Sequence, residues 1–462
     1  MDPVLADDLA NLPGLLAATR DLAEHALAGL DTRPVDPTPT AVSPAPLPRE
    51  GIGARQALAE FAQRWEPHFS GSAGPRYLGF VIGGATPASI AGDWLTSVLD
   101  QNGSGGDSSA AAALERETVG WLGQLFGLDD AHTGAFVTGA TMSNVVGLSL
   151  AREWLGERKG VSVAEAGVGA LGPVHVLSGS PHSTIYKGLS MLGLGRGSLR
   201  RVPTMPDREA VDVARLAEAL DALAGEPAIV VANAGTVNTV DFDDLRAIAA
   251  LKERYPFWLH VDGAFGAFAA LSPRHAHLVD GLAEADSVCV DLHKWLNVPY
   301  DAAVQFTRRK DLQVKVFHNS AAYLSTPGDN PDFVHLVPES SRRLRAIAAW
   351  FTLTAYGREG HREIVERNVA LARRLGEQLA ESGLVRLLAP VRLNVVCFTL
   401  PSPDRVHELA GLIASSGETF LTPTVYNGQP ALRAAFSNWR TTEADVDRIL
   451  RAITTACEEL NG

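Results

Sequence analysis

Cysteine is scarce: Cys289, Cys397 and Cys457 are the only three in 462 residues, and they stand far apart. That spacing supports neither a disulfide framework nor a thiolate metal site, and it fits a reducing cytoplasm. Uncharged apolar runs near the roughly 18 residues of a spanning helix are missing. So is a basic N-terminal stretch leading into an apolar one, so neither membrane insertion nor secretion is expected. Positive charge is in deficit, with 40 Lys+Arg against 53 Asp+Glu and a net charge of −13. Nucleic acid and anionic membranes are therefore not expected as general partners. Gly193, Gly195 and Gly197 are wrongly spaced for a dinucleotide site. No internal repeat is present.

What the chain does have is a change of texture along its length. Residues 4–30 predict an amphipathic helix, 32–48 a proline-rich extended arm, and 54–69 another helix. Such an arm cannot bury its own apolar stripe and is expected to lie on another surface, a second subunit being the natural one. From Pro87 onward helices alternate with short apolar runs. Helices are predicted over 87–99 and 110–126, and strands over 135–138, 174–178, 228–232, 258–261 and 287–290. A further strand over 303–307 follows a short connection and is expected to be antiparallel. The pattern predicts an α/β fold, a mostly parallel sheet covered by helices on both faces. After Pro338 come predicted helices over 340–356, 363–382 and 404–415, strands over 394–400 and 431–438, and a closing helix capped at Thr441 to Asp445. The expected division is a helical arm and dimerisation segment (1–86), a large domain (87–338) and a smaller α+β domain (339–462).

The chemistry gathers where predicted strands end, the edge at which open parallel sheets bind ligands. Residues 286–300, Asp-Ser-Val-Cys-Val-Asp-Leu-His-Lys-Trp-Leu-Asn-Val-Pro-Tyr, run from a buried strand into a polar turn presenting His293 and Lys294. A lysine there suits imine formation with a carbonyl cofactor, although strand-end lysines are commonly solvated. Residues 258–266, Trp-Leu-His-Val-Asp-Gly-Ala-Phe-Gly, place Asp262 at another strand tip. Its carboxylate suits a protonated pyridine nitrogen or, alternatively, a turn cap. Ala264 is small enough to lie under a flat ring. Thr138-Gly-Ala-Thr-Met-Ser-Asn144 opens a helix with the bare backbone of Gly139 and Ala140 and the hydroxyl of Thr141, a phosphate-binding arrangement. His182, in Ser-Pro-His-Ser-Thr, is placed to stack on such a ring, and Thr236, with Asn238 second, to bond its hydroxyl. His275 and His277 lack a third partner and read as surface residues rather than metal ligands.

Taken together and in order, Thr-Gly-Ala-Thr-Met-Ser-Asn, Ser-Pro-His-Ser-Thr, His-Val-Asp-Gly-Ala and Asp-Leu-His-Lys-Trp resemble the group II pyridoxal-phosphate-dependent amino-acid decarboxylases. The likeness runs from about Tyr77 to the C-terminus. It implies the aspartate aminotransferase-like fold (fold type I) and a homodimer with active sites at its interface. It also implies Lys294 as the cofactor-binding lysine, Asp262 as partner of the ring nitrogen and His182 as the stacking histidine. Ala264 would pack on the ring, and Ala140, Thr141 and His293 would surround the phosphate. Asp291 stands where several relatives carry a neutral phosphate ligand and is not counted as one. In aromatic amino acid decarboxylases, the segment matching 325–339 is a lid whose tyrosine returns a proton to the α-carbon. Here it has no tyrosine, Tyr323 falling before it, so the expected donors are His182, His335 or water. Phe80, Val81 and Ile82 would form an apolar substrate wall, with Gln101 to Gly103 supplied by the partner subunit. No arginine stands in either stretch, which disfavours glutamate. Arg342, Arg343 and Arg345 are expected to pair with acids. The activity implied is removal of the α-carboxylate of a neutral, aromatic or aliphatic L-amino acid to give amine and CO2. A lyase or oxygen-dependent aldehyde-forming enzyme of the same family, and a cofactor-less scaffold homologue, are the alternatives.

Overall fold

The computed structural model describes residues 1–36, 42–103, 109–320 and 327–461. Tyr323, the first two residues of the 325–339 segment and residues 37–41 of the expected arm therefore lie outside the described residues. Two sheets organise the chain. The larger contains β1 (Thr133–Val137), β2 (His175–Ser178), β3 (Leu199–Arg201), β4 (Ala228–Asn233), β5 (Phe257–Asp262), β6 (Ser287–Asp291) and β7 (Ala303–Thr307), in the order β1-β7-β6-β5-β4-β2-β3. Neighbours run parallel except at β7, which is antiparallel to both β6 and β1. The ends of β1, β2, β4, β5 and β6 thus share one edge. Every residue of β4, β5 and β6 is buried, as expected of strands covered on both faces.

The second sheet, in the order β10-β11-β9-β8, is formed by β8 (Arg386–Leu387), β9 (Val395–Thr399), β10 (Thr422–Tyr426) and β11 (Gln429–Ala435). It is antiparallel and has its own apolar core, which includes Leu78. The 77–80 stretch runs along this sheet: Leu78 N donates to Phe420 O at 3.0 Å, and Ala435 N donates to Leu78 O at 3.0 Å. Phe80 and Val81 are thereby carried to the edge of the larger sheet.

Helices α1 (Pro3–Ala10), α2 (Leu12–Ala28) and α3 (Ala54–Arg64) bury no residue completely. The single helix expected over 4–30 is broken at Asn11, where Pro13 cannot donate the next backbone hydrogen bond. Helix α4 (Pro87–Leu99) packs on the long helix Ala346–Ser382, with Gly92 bringing the two backbones together at Ala348. Sequence patterning predicts two helices there; the structure joins them across a kink at Gly357, whose φ of 59° suits glycine. Helix α5 (Ala111–Leu125) covers β1, and α6 (Ala140–Arg158) packs against β6 and β7. No helix among the described residues is long and apolar enough to cross a membrane.

Two buried imidazoles make the fold acid-sensitive. Burial pulls both His260 and His361 down to about 4, so both stay neutral when folded. Unfolding exposes them to water and an ordinary value near 6.5, so between roughly pH 6.5 and 4 the unfolded chain binds more protons and stability falls. Asp243 acts oppositely: burial raises it to about 6, so its protonated form favours the folded state over roughly pH 6 to 4. Two histidines against one aspartate leave a net loss of about 1.4 kcal/mol per pH unit. Urea midpoints measured from pH 6 to pH 4.5 are expected to fall, and His361→Gln to flatten that slope.

Candidate active site

The end of β6 turns sharply. Leu292 N and His293 N both donate to Ala302 O, at 3.0 and 3.1 Å. Behind the turn, Trp295 is buried and its Nε1 donates to Asn368 Oδ1 at 2.8 Å. Asn297, at φ 57°, donates through Nδ2 to Gly83 O at 2.6 Å and Ser437 O at 2.7 Å. Gly83 lies so close to the lysine turn that a Cβ would come within 1.7 Å of Lys294 O. These contacts fix the backbone that presents Lys294, while its Nζ sits 3.4 Å from Asp291 Oδ2 and 5.5 Å from the centre of the Phe265 ring.

Lys294 and Asp262 line a single cavity of about 260 Å³. Asp262 is held at the tip of β5 by two donors: Asn144 Nδ2 to Oδ2 at 3.0 Å, and Ala264 N to Oδ1 at 3.2 Å. His182 faces the same space as the N-cap of the helix Ser183–Met191. Its Nδ1 accepts from Thr184 N at 3.3 Å and pairs with Thr184 Oγ1 at 2.8 Å. Burial lowers its pKa, so the ring is neutral, and with Nδ1 accepting, its proton sits on Nε2. Ala140, Ala264, Thr236, His293, Phe80 and Val81 also line the cavity. Gly139 stands beside His293, 3.6 Å separating a would-be Cβ from Cε1.

Some expected site residues stand apart in this single chain. Ile82, Gln101 and Thr141 are not in the cavity lining. His335 is fully buried; its Nδ1 accepts from Asn319 N at 3.2 Å and its ring lies 5.5 Å from that of His318. Thr236 is in place, but its hydroxyl donates to Glu209 Oε2 at 2.6 Å and accepts from Asp241 N at 2.9 Å, leaving it only an acceptor. Arg342, Arg343 and Arg345 pair with Glu115, Asp93 and Asp301, at 2.8, 2.5 and 2.8 Å. His275 is buried rather than at the surface, its Nδ1 3.1 Å from Ser272 Oγ and its Nε2 3.2 Å from Arg373.

Tyr300 and Arg433 are among the lining residues that escaped sequence reasoning. Tyr300 packs at a tilt of 34° on His293 with ring centres 4.2 Å apart, and partial desolvation pushes its hydroxyl up to about 12. Arg433 reaches the cavity from β11; its guanidinium donates to Phe80 O, its Nε has no partner among the described residues, and burial pulls it down to about 10. The absence of arginine from 77–87 and 101–103 therefore does not leave the cavity without one. The available signal was one charged residue inside Ala-Leu-Arg-Ala-Ala, an otherwise apolar strand.

A lysine and a carboxylate on one cavity, with small residues between, suit a flat carbonyl-bearing heterocycle. The model of the pyridoxal-dependent decarboxylase conserved domain matches residues 43–401. The chain belongs to this family. Its members include an aromatic-L-amino-acid decarboxylase of Bacillus atrophaeus, 28% identical over 84% of this chain and 82% of that one. An L-2,4-diaminobutyrate decarboxylase of Rhizobium meliloti (strain 1021) is 29% identical over 90% and 84%. A 4-hydroxyphenylacetaldehyde synthase of Rhodiola rosea is 26% identical over 93% and 92%. The solved Rhodiola structure superposes with a TM-score of 0.88 over 98% of this chain and 99% of that one, at 23% identity, a likeness of fold. The architecture is that of fold type I, and the family member described here is a pyridoxal-phosphate-dependent amino-acid decarboxylase.

Proposed function

We propose that this decarboxylase removes the α-carboxylate of a neutral L-amino acid, aromatic or aliphatic, releasing CO2 and the amine. The observation that carries this reading is the cavity shared by Lys294 and Asp262, whose remaining wall is largely apolar through Phe80, Val81, Val237 and Phe265. Its residues also suit the cofactor's phosphate. His293 Nδ1 and Asp291 Oδ1 are buried 3.1 Å apart, neither completing a hydrogen bond among the described residues, and the His293 ring lies beside Gly139. Bound pyridoxal phosphate supplies an electron sink for a bond breaking at the substrate α-carbon.

The chain's own groups have separate tasks. Lys294 Nζ is the amine that would hold the cofactor aldehyde. Asp262 keeps a proton on the ring nitrogen by opposing its charge, the kind of fixed electrostatic stabilisation that dominates many active sites. His182 stacks on the ring and keeps a donatable proton on Nε2. Ala264 leaves room for the ring's other face. The exposed side chains Leu5, Leu9 and Leu16 of the arm, with Trp94, Val98 and Leu99 of α4, form apolar surface suited to a second copy. In that reading the enzyme is a cytoplasmic homodimer with sites at its interface, organised as an arm (1–86), a large domain (87–338) and a small domain (339–462).

Arg433 favours a second reading, an acidic amino acid whose side-chain carboxylate meets the guanidinium. Purified enzyme loaded with pyridoxal phosphate should be offered the twenty amino acids and 2,4-diaminobutyrate, with CO2, amine, aldehyde and oxygen uptake all measured. Release of CO2 with equimolar amine from a neutral substrate is expected. CO2 release confined to glutamate or aspartate selects the second reading. Aldehyde formed with oxygen consumption removes the amine outcome.

A further inference from the structure

We propose that Asn144 is a positioning residue that aims Asp262 and His182 together, held in the one amide orientation that does so by hydrogen bonds behind it. The inference rests on the reading above, in which Asp262 meets the cofactor's ring nitrogen. Asn144 lies near the start of α6, fully buried. Its Nδ2 donates to Asp262 Oδ2 at 3.0 Å and to Thr184 Oγ1 at 3.2 Å. Thr184 in turn holds Nδ1 of His182 at 2.8 Å. One amide group therefore touches the carboxylate directly and the imidazole through a single hydroxyl.

The direction of each link follows from the Asp262 carboxylate, which only accepts and so faces Nδ2 of Asn144, leaving Oδ1 toward His260. Trp258 Nε1 can only donate, and it donates to Ser287 Oγ at 2.9 Å. Asn144 Oδ1 can only accept, so His260 Nε2, 2.9 Å away, carries the hydrogen. His260 is buried and neutral, its pKa pulled down to about 4, so its Nδ1 has none and accepts from Ser287 Oγ at 2.8 Å. Turning the amide over would set Oδ1 against the Asp262 carboxylate, a repulsive contact in a buried place, where an unmatched polar group costs about 1–3 kcal/mol, and would force His260 into its other tautomer. Helix α6 makes room for this arrangement at Gly147, where a Cβ would come within 2.6 Å of the His260 ring. With Asn144 on one oxygen and Ala264 N on the other, the remaining lone pairs of Asp262 face the cavity. His182, accepting at Nδ1, is left with its hydrogen on Nε2.

The test compares apoenzyme affinity for pyridoxal phosphate with that for its deaza analogue, which has C–H in place of the ring nitrogen. A general loosening of the fold weakens both ligands alike, so their ratio isolates the aim of the carboxylate. Wild type should prefer pyridoxal phosphate by roughly 10- to 100-fold, the scale of a charged hydrogen bond, and Asp262→Asn should lose that preference. Asn144→Ala should reduce it by about fivefold or more with Asp262 intact. Ser287→Ala, which frees the His260 tautomer without disturbing Asn144 sterically, should reduce it in the same direction by less. If wild type shows no preference, the reading of Asp262 itself fails, and this inference with it. If wild type prefers the natural cofactor and Asp262→Asn does not, while every folded Asn144 and Ser287 variant keeps the wild-type ratio, Asn144 is not a positioning residue.

Discussion

Lys294→Ala should lower turnover by on the order of 10⁴-fold or more, the scale on which loss of a covalent catalyst acts, and should abolish the visible absorbance of lysine-bound cofactor. The size of the effect follows from the construction of the turn. Gly83, Asn297, Ala302 and Trp295 fix the backbone around the lysine, so no neighbouring amine can take its place. Among the described residues lining the cavity, the other cation is Arg433, whose guanidinium is neither nucleophilic nor free of Phe80 O. Affinity for pyridoxal phosphate should fall far less than turnover, because Asp262, His182 and the start of α6 remain. Absorbance spectra and equilibrium dialysis on the same preparation separate the two quantities. Full turnover in this variant would remove Lys294 from the chemistry.

That prediction was available from the sequence because its residues act locally. Strands β4, β5 and β6 are buried on both faces, so they read as largely apolar runs, with His260 and Ser287 the polar exceptions, that end at Asn233, Asp262 and Asp291. Edge strands do not carry that signal. β3 reads Leu-Arg-Arg and β10 Thr-Pro-Thr-Val-Tyr, both partly solvated, and β10 holds a proline. Neither was anticipated. Arg433 reaches the cavity through tertiary packing that no window of sequence displays. Asn144 illustrates the same limit within a recognised stretch: it closes Thr-Gly-Ala-Thr-Met-Ser-Asn, yet its importance depends on β5 setting His260 and Asp262 two residues apart on one face.

The same tertiary logic gives the largest expected effect on stability, at Glu115 and Arg342. Their side chains are 0% and 1% exposed and meet at 2.8 Å. Arg342 also donates to Gly103 O at 2.5 Å and lies over the Phe333 ring at 4.9 Å, while Glu115 accepts from Phe136 N at 3.2 Å. The pair therefore ties α5 and β1 to the segment leading into the long kinked helix. Among the described residues, Glu115 Oε2 and Arg342 Nε are buried without hydrogen-bond partners, and the two side chains form the one ion pair that either makes. Arg342→Met or Glu115→Leu alone should cost about 3–5 kcal/mol, because each strands a charge in a dry interior. The double variant should cost much less than the sum, since two apolar side chains of similar volume leave nothing unpaired. Urea unfolding of all four proteins at pH 7 measures the coupling. Additive losses would mean that water reaches the pair and screens it, and the burial argument would then fail. Because β1 leads directly into Gly139 and Ala140, the single variants should also bind pyridoxal phosphate more weakly, whereas the double variant should recover most of that affinity.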